Sequence, residues 1–204
     1  MKKNLKKQKL KEFSSLIANA ANCAAAAYGA HYYEHESSWR WRPCPEPFAV
    51  QAAYQSLKAA GYGVTAEAHQ GGIFRKAGKE ELILEGDFRR RYDLAVWAPG
   101  TGNRPPLALC EFKWLFGKGG FESDAENLAL AKSAFGSEAV LCLLVAHNDR
   151  VGTALARKAL RNRLLSRQSI RLSCASPIAK GEAHHYGFGT GEPVYFQSTV
   201  FCLQ

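Results

Sequence analysis

The sequence predicts an α/β fold in a single domain, and three stretches carry that prediction. PFAVQAAYQSLKAA (Pro47–Ala60) spaces its apolar residues at a helical period and stops at Gly61. Two short apolar runs, Leu94–Trp97 and Leu107–Cys110, flank a turn rich in Pro and Gly, the pattern of a β-hairpin. AVLCLLVA (Ala139–Ala146) is continuously apolar, as a strand covered on both faces must be. With 204 residues, the chain can enclose one well-packed core and carry appendages. We divide it into an N-terminal basic helical segment and connection (1–44), a core (45–147) and a C-terminal basic helix with strands on the same domain (148–204).

The elements follow in order. Residues 2–11 carry Lys2, Lys3, Lys6, Lys7, Lys9 and Lys11, and the Leu- and Ala-rich stretch after Phe13 continues a helix to Ala27. A solvated helix start explains these lysines better than an arm on a phosphate backbone. Residues 31–44 (HYYEHESSWRWRPC) read as a structured connection, although Trp39 and Trp41 with Arg40 and Arg42 have the chemistry to stack bases and hold phosphates. His31, His35 and Cys44 are too irregularly spaced for zinc. Val64–His69 is the first strand, with Val64, Ala66 and Ala68 on one face and Thr65 and Glu67 on the other. Residues 70–91 read as a hairpin insertion with an extra strand at Leu82–Leu84. The insertion ends in Arg89, Arg90 and Arg91, which suit substrate charge or the protection of a strand edge.

Asp93–Trp97 and Leu107–Lys113 are the second and third strands. FGKGG (116–120) brings Lys118 and three glycines to a helix start, but without the spacing of a P-loop. Ser123–Phe135 reads as a helix opened by a capping box from Ser123 to Glu126. Val151–Gln168 is an amphipathic helix whose polar side carries Arg157, Lys158 and Arg161, which suit a nucleic-acid backbone and equally a surface helix packed on the sheet with solvated charge. Val194–Leu203 alternates as one or two late strands do, GFGTG (187–191) is their turn, and His184 and His185 read as loop histidines before they read as an acid or base.

Chemistry concentrates in the hairpin. Asp93 begins one strand, and Glu111 and Lys113 end the other, two residues apart and so on one face. An antiparallel return brings two carboxylates and an ammonium beside buried strands, which is costly unless a cation or charged ligand completes the site. Carboxylate oxygens suit a hard ion such as Mg²⁺, with Mn²⁺ an alternative. Such an ion polarises a phosphoryl oxygen and acidifies a bound water, while Lys113 orients that water or neutralises the transition state. The chemistry indicated is metal-assisted phosphodiester hydrolysis.

The spacing Asp93…Glu111-Phe112-Lys113, together with the order helix, three strands, helix, strand, resembles the PD-(D/E)xK nuclease superfamily across roughly residues 45 to 147. Tyr92 stands where the family name has proline. The resemblance implies a restriction-endonuclease-like core with a mixed central sheet flanked by helices. It implies a metal held by Asp93, Glu111 and the carbonyl of Phe112, with DNA before RNA as substrate. It also implies a further acidic residue on the first helix or first strand. Glu46 opens that helix about one turn early, where Val50 and Gln51 occupy the more usual place, and the alternation of the strand favours Glu67. Phage defence, mobile elements and repair are the contexts the resemblance offers.

A net charge of +9 and a pI of about 9.3 favour polyanionic partners, nucleic acid first. Six scattered cysteines without a CxxC pair read as a reduced, cytoplasmic protein. No stretch of some 20 apolar residues predicts a membrane span, and the alanine-rich residues 15–30 read as a helix rather than a leader. Without a recognisable specificity module, a homodimer or a companion protein is expected to supply targeting. The alternative is a non-catalytic nucleic-acid-binding or assembly subunit that keeps the nuclease-like fold.

Overall fold

The computed structural model describes residues 2–35, 44–83, 90–100, 105–114, 120–136, 140–148, 172–174, 179–184 and 194–203. Helix α1 (Lys2–His35) buries Phe13, Ile17, Ala21 and Ala25, a stripe at four-residue spacing. It runs beyond Ala27, into residues expected to form a connection. Helix α2 (Glu46–Ala59) has Pro47 in its first turn, where a missing N–H costs nothing, and buries Ala49, Ala53 and Leu57. It ends through Gly61, whose φ of 87° needs no Cβ, while the Tyr62 N–H donates back to the Leu57 carbonyl.

Strand β1 (Gly63–His69) leads into a short helix α3 (Gln70–Lys76) and a 3₁₀ turn (Glu80–Leu82). The hairpin insertion expected here is therefore helical in its first half, because Ile73 and Phe74 share a helix face that packs into the core. Of the expected strand Leu82–Leu84, Leu82 closes the 3₁₀ turn and residues 84–89 lie outside the described residues. Next come β2 (Arg91–Trp97), β3 (Ala108–Trp114), α4 (Phe121–Phe135), β4 (Leu141–Asn148), β5 (Leu172–Cys174), β6 (Ala179–His184) and β7 (Val194–Leu203). Helix α4 begins two residues before the expected capping box. Gly120 is its N-cap, and Ser123 sits inside the first turn with its hydroxyl donating to the Gly120 carbonyl at 2.8 Å.

The strands form one mixed sheet in the order β1-β2-β3-β4-β7-β5, with β6 also on β7. β1, β2 and β3 are antiparallel neighbours, β3 and β4 run parallel, and β7 returns antiparallel on β4. The β3–β4 crossover carries α4, as a parallel connection requires. Helices cover both faces. α1 and α2 pack on Leu94, Val96, Cys110, Phe112, Leu143 and Val145, and α3 and α4 pack on Ala95, Leu109, Cys142 and Leu144. The unbroken apolar run of β4 thus serves two cores, alternate residues going to each. Among the described residues no helix is long and apolar enough to cross a membrane.

The alternation expected of β1 fails at Glu67, which has a φ of 50°. Ala66 pairs with Leu94 and Ala68 with Tyr92, yet Tyr92 and Ala68 join the α3/α4 core while Leu94 joins the other. The two paired strands turn over between these positions, and the residues at the turnover are Glu67 and Asp93.

Candidate functional site

That turnover is where the polar residues collect. The paired register of β2 and β3 runs from Val96↔Ala108 to Leu94↔Cys110. At the next position the Asp93 side chain reaches across, and its Oδ2 accepts the Phe112 backbone N–H at 2.6 Å. A carboxylate thus stands where a ladder carbonyl otherwise would. Burial pushes the Asp93 carboxyl up to about 6, against the Phe112 hydrogen bond that favours its charge.

Glu111 is 4% exposed, and its Oε1 has no hydrogen-bond partner among the described residues. It shares the sheet face of Leu109 and pairs with Leu144 on β4, so it lies within the layer covered by α4. Burial, then the charges of Asp93 and Asp124, push its carboxyl up to about 9. An orphaned buried carboxyl oxygen is the costly feature of this site.

Lys113 lies two residues on. Its Nζ is 3.1 Å from Asp124 Oδ2 in the first turn of α4 and 3.3 Å from Glu46 Oε2 in the first turn of α2. These two helices cover opposite faces of the sheet, so the ammonium bridges both layers. Burial disfavours its charge, but the two carboxylates more than offset this and raise its pKa. Gly120 gives the lysine room: its φ is 88°, and a Cβ there would stand 3.2 Å from Lys113 Cε and 3.3 Å from Nζ. Among the described residues the cluster therefore gathers four carboxyl groups, Glu46, Asp93, Glu111 and Asp124, and one ammonium, which Glu46 and Asp124 contact directly.

A buried polar network ties the strand before Asp93 to its neighbours. Gln70 Nε2 donates to the Tyr92 hydroxyl at 2.9 Å, and that hydroxyl donates to the Asn127 carbonyl at 3.2 Å. The exposed Arg90 donates to Asn127 Oδ1 at 3.3 Å. Burial pushes the Tyr92 phenol upward.

The structure brings Asp93, Glu111, Phe112 and Lys113 together. Glu67 stands apart: its side chain is 63% exposed and forms an ion pair with Arg91 at 3.6 Å. The backbone turnover removes it from the face that simple alternation gave it. Glu46, the other acidic residue considered, contacts Lys113 from the first turn of α2. Asp124 was not anticipated. Its sequence signal was an acidic residue in the first turn of the helix that follows Lys113 and a glycine loop. Arg90 and Arg91 are exposed near the site. Arg89, Lys118, Arg157, Lys158 and Arg161 lie outside the described residues, as do Trp39, Trp41 and His185.

No family model, no curated protein and no solved structure matches the chain. The functional reading rests on the site itself.

Proposed function

We propose that this protein is a metal-dependent nuclease that hydrolyses phosphodiester bonds in nucleic acid, DNA before RNA. The observation that carries the reading is the buried oxygen of Glu111, without a hydrogen-bond partner among the described residues, beside Asp93 and Lys113. The strand pairing also supports it. The helix α2, antiparallel β1-β2-β3, crossover helix α4 and parallel β4 follow the order of a restriction-endonuclease-like core. The overall charge of +9 suits a polyanionic substrate.

The donor set fits a hard divalent cation. Among the described residues no three His, Cys, Asp or Glu side chains are grouped to enclose a metal unaided. Mg²⁺ characteristically takes one or two carboxylates and completes its shell with water and substrate oxygens. Asp93, Glu111 and the Phe112 carbonyl would hold it. When bound, it supplies Lewis-acid polarisation of the phosphoryl group and a more acidic water. Asp93 is fixed by the Phe112 N–H, so one ligand is preorganised on the backbone of the other strand. Lys113 keeps a positive charge where the phosphorane charge develops and directs the attacking water towards phosphorus. Water oxygen forms the new P–O bond and releases a proton to solvent, and the departing sugar oxygen leaves with the bonding pair and takes a proton from solvent in turn.

The test compares wild type with Lys113→Ala on double-stranded DNA, single-stranded DNA and RNA, in Mg²⁺, Mn²⁺ or EDTA. Cutting that requires the metal and falls roughly 10²–10³-fold in the variant is expected. Intact gel-shift binding by both proteins without cutting on any substrate would overturn the reading in favour of a non-catalytic binding subunit.

A further inference from the structure

We propose that Asp124 is a positioning residue that acts through Lys113, holding its ammonium where β2 and β3 part, with Gly120 supplying the space the lysine needs. Three observations converge on this assignment. The Asp124–Lys113 ion pair, at 3.1 Å, is shorter than the Glu46 contact, at 3.3 Å, although only the Glu46 contact also has hydrogen-bond geometry. Asp124 is also the better buried partner, its side chain 15% exposed against 34% for Glu46. An ion pair shielded from water holds its geometry better than an exposed one. The third observation is Gly120, four residues before Asp124, whose amide donates to the Gly120 carbonyl at 3.0 Å. The same helix start therefore presents the carboxylate and clears the volume beside Lys113 Cε and Nζ.

The chemical reason for such a holder is the length of the lysine. Four rotatable bonds separate its backbone from its charge, and an unheld ammonium samples many positions. A group that must meet a phosphoryl oxygen within hydrogen-bond distance gains most from being fixed beforehand. Glu46 comes from the opposite helix layer, so it steadies the same ammonium from the other side. Asp124 need not touch substrate or metal to matter.

The contact between Asp124 and Lys113 stands independently of the nuclease reading, and only its effect on turnover rests on that reading. The experiment therefore has two arms. In the first, an amine-acylating reagent is applied to the intact protein, and modification of Lys113 is quantified by mass spectrometry against the exposed Lys58. Lys113 is expected to be protected in wild type, to react several-fold faster in Asp124→Asn and Gly120→Ala, and to be protected again in Asp124→Glu. Melting temperatures of all four proteins identify a variant that has simply lost its fold, and Asp124→Asn is nearly isosteric. In the second arm, Asp124→Asn is expected to lower kcat by roughly a hundredfold with KM little changed, and Asp124→Glu to recover part of it. Unchanged Lys113 labelling in folded Asp124→Asn overturns the proposal whatever turnover does. Faster labelling with wild-type kcat overturns the positioning role. A wild type that cuts nothing removes the nuclease reading alone, and the labelling arm still decides whether Asp124 holds Lys113.

Discussion

The two ends of the β2–β3 pair are built on opposite terms. At one end Leu94, Val96, Ala108 and Cys110 are fully buried, the backbones pair in register, and side chains go alternately to the two cores. At the other end, one residue along each strand, Asp93 gives its carboxylate to the neighbouring backbone and Glu111 buries an oxygen with no partner among the described residues. The same strands thus change from a stabilising element to a costly one within a single step. Apolar burial is the ordinary source of stability in a fold. A buried carboxyl oxygen that lacks a partner is retained at a cost, and sites with chemistry to perform are where such costs concentrate.

The largest effect that can test this contrast lies at the apolar end. Leu94→Ala removes a side chain with no exposure from the core beneath α1 and α2. It is expected to cost about 2–5 kcal/mol of unfolding free energy, read from urea titration. A loss below about 1 kcal/mol would mean that this end is loosely packed, and the contrast would weaken.

An effect of the opposite sign, and of comparable size near pH 8, is expected at Glu111. In the unfolded chain this carboxyl ionises near 4.5, and in the fold it keeps its proton up to about 9. Between these values the folded state binds more protons than the unfolded one, so stability falls as pH rises. The slope from this group is about 1.4 kcal/mol per pH unit. It vanishes below the lower value and levels off above the upper one. Asp93 adds a weaker fall in the same direction between 3.8 and about 6. Glu111→Gln removes the larger contribution. Without metal, the variant should melt at the same temperature as wild type near pH 4 and above it near pH 8. Each kcal/mol corresponds to roughly 2–4 °C in a chain of this size. If Glu111 holds a metal as proposed, Mn²⁺ should raise the wild-type melting temperature more at pH 8 than at pH 6, because only an ionised carboxylate ligates, and should leave the variant unmoved. A variant that melts below wild type at every pH would show that both ends of the strand pair serve stability.

What the sequence discloses of this contrast follows from range. Hydrophobic period is local, and it located α2, β1, β2, β3 and β4 to within a few residues. Asp93, Glu111 and Lys113 were legible for the same reason, since the hairpin that joins them is short. Glu46 was harder to choose because it meets Lys113 across 67 positions, and the first turn of a helix carries no local sign of what it faces. Asp124 was hidden by a reading of Ser123 as a helix cap, which the αL conformation of Gly120 displaces by starting the helix earlier. Glu67 was misdirected by strict alternation. One residue at positive φ turns the strand over, and nothing in a non-glycine sequence announces it.

The smallest expected effect concerns that last residue. Glu67 and Asp93 sit opposite each other at the turnover, yet only Asp93 faces the cluster. Glu67 makes a solvent-exposed pair with Arg91, and such pairs contribute little. Glu67→Ala should therefore change stability by less than about 0.5 kcal/mol and, on the proposed nuclease reading, leave metal-dependent turnover within about twofold of wild type. Glu46→Ala, which removes one of the two carboxylates on Lys113, should reduce turnover further than that. The comparison is made at one pH with both variants shown to be folded. If Glu67→Ala proves the more damaging, the acidic residue that serves the site comes from the strand rather than the helix. The polar end would then extend onto β1, and the boundary between the two ends would lie a full strand further out.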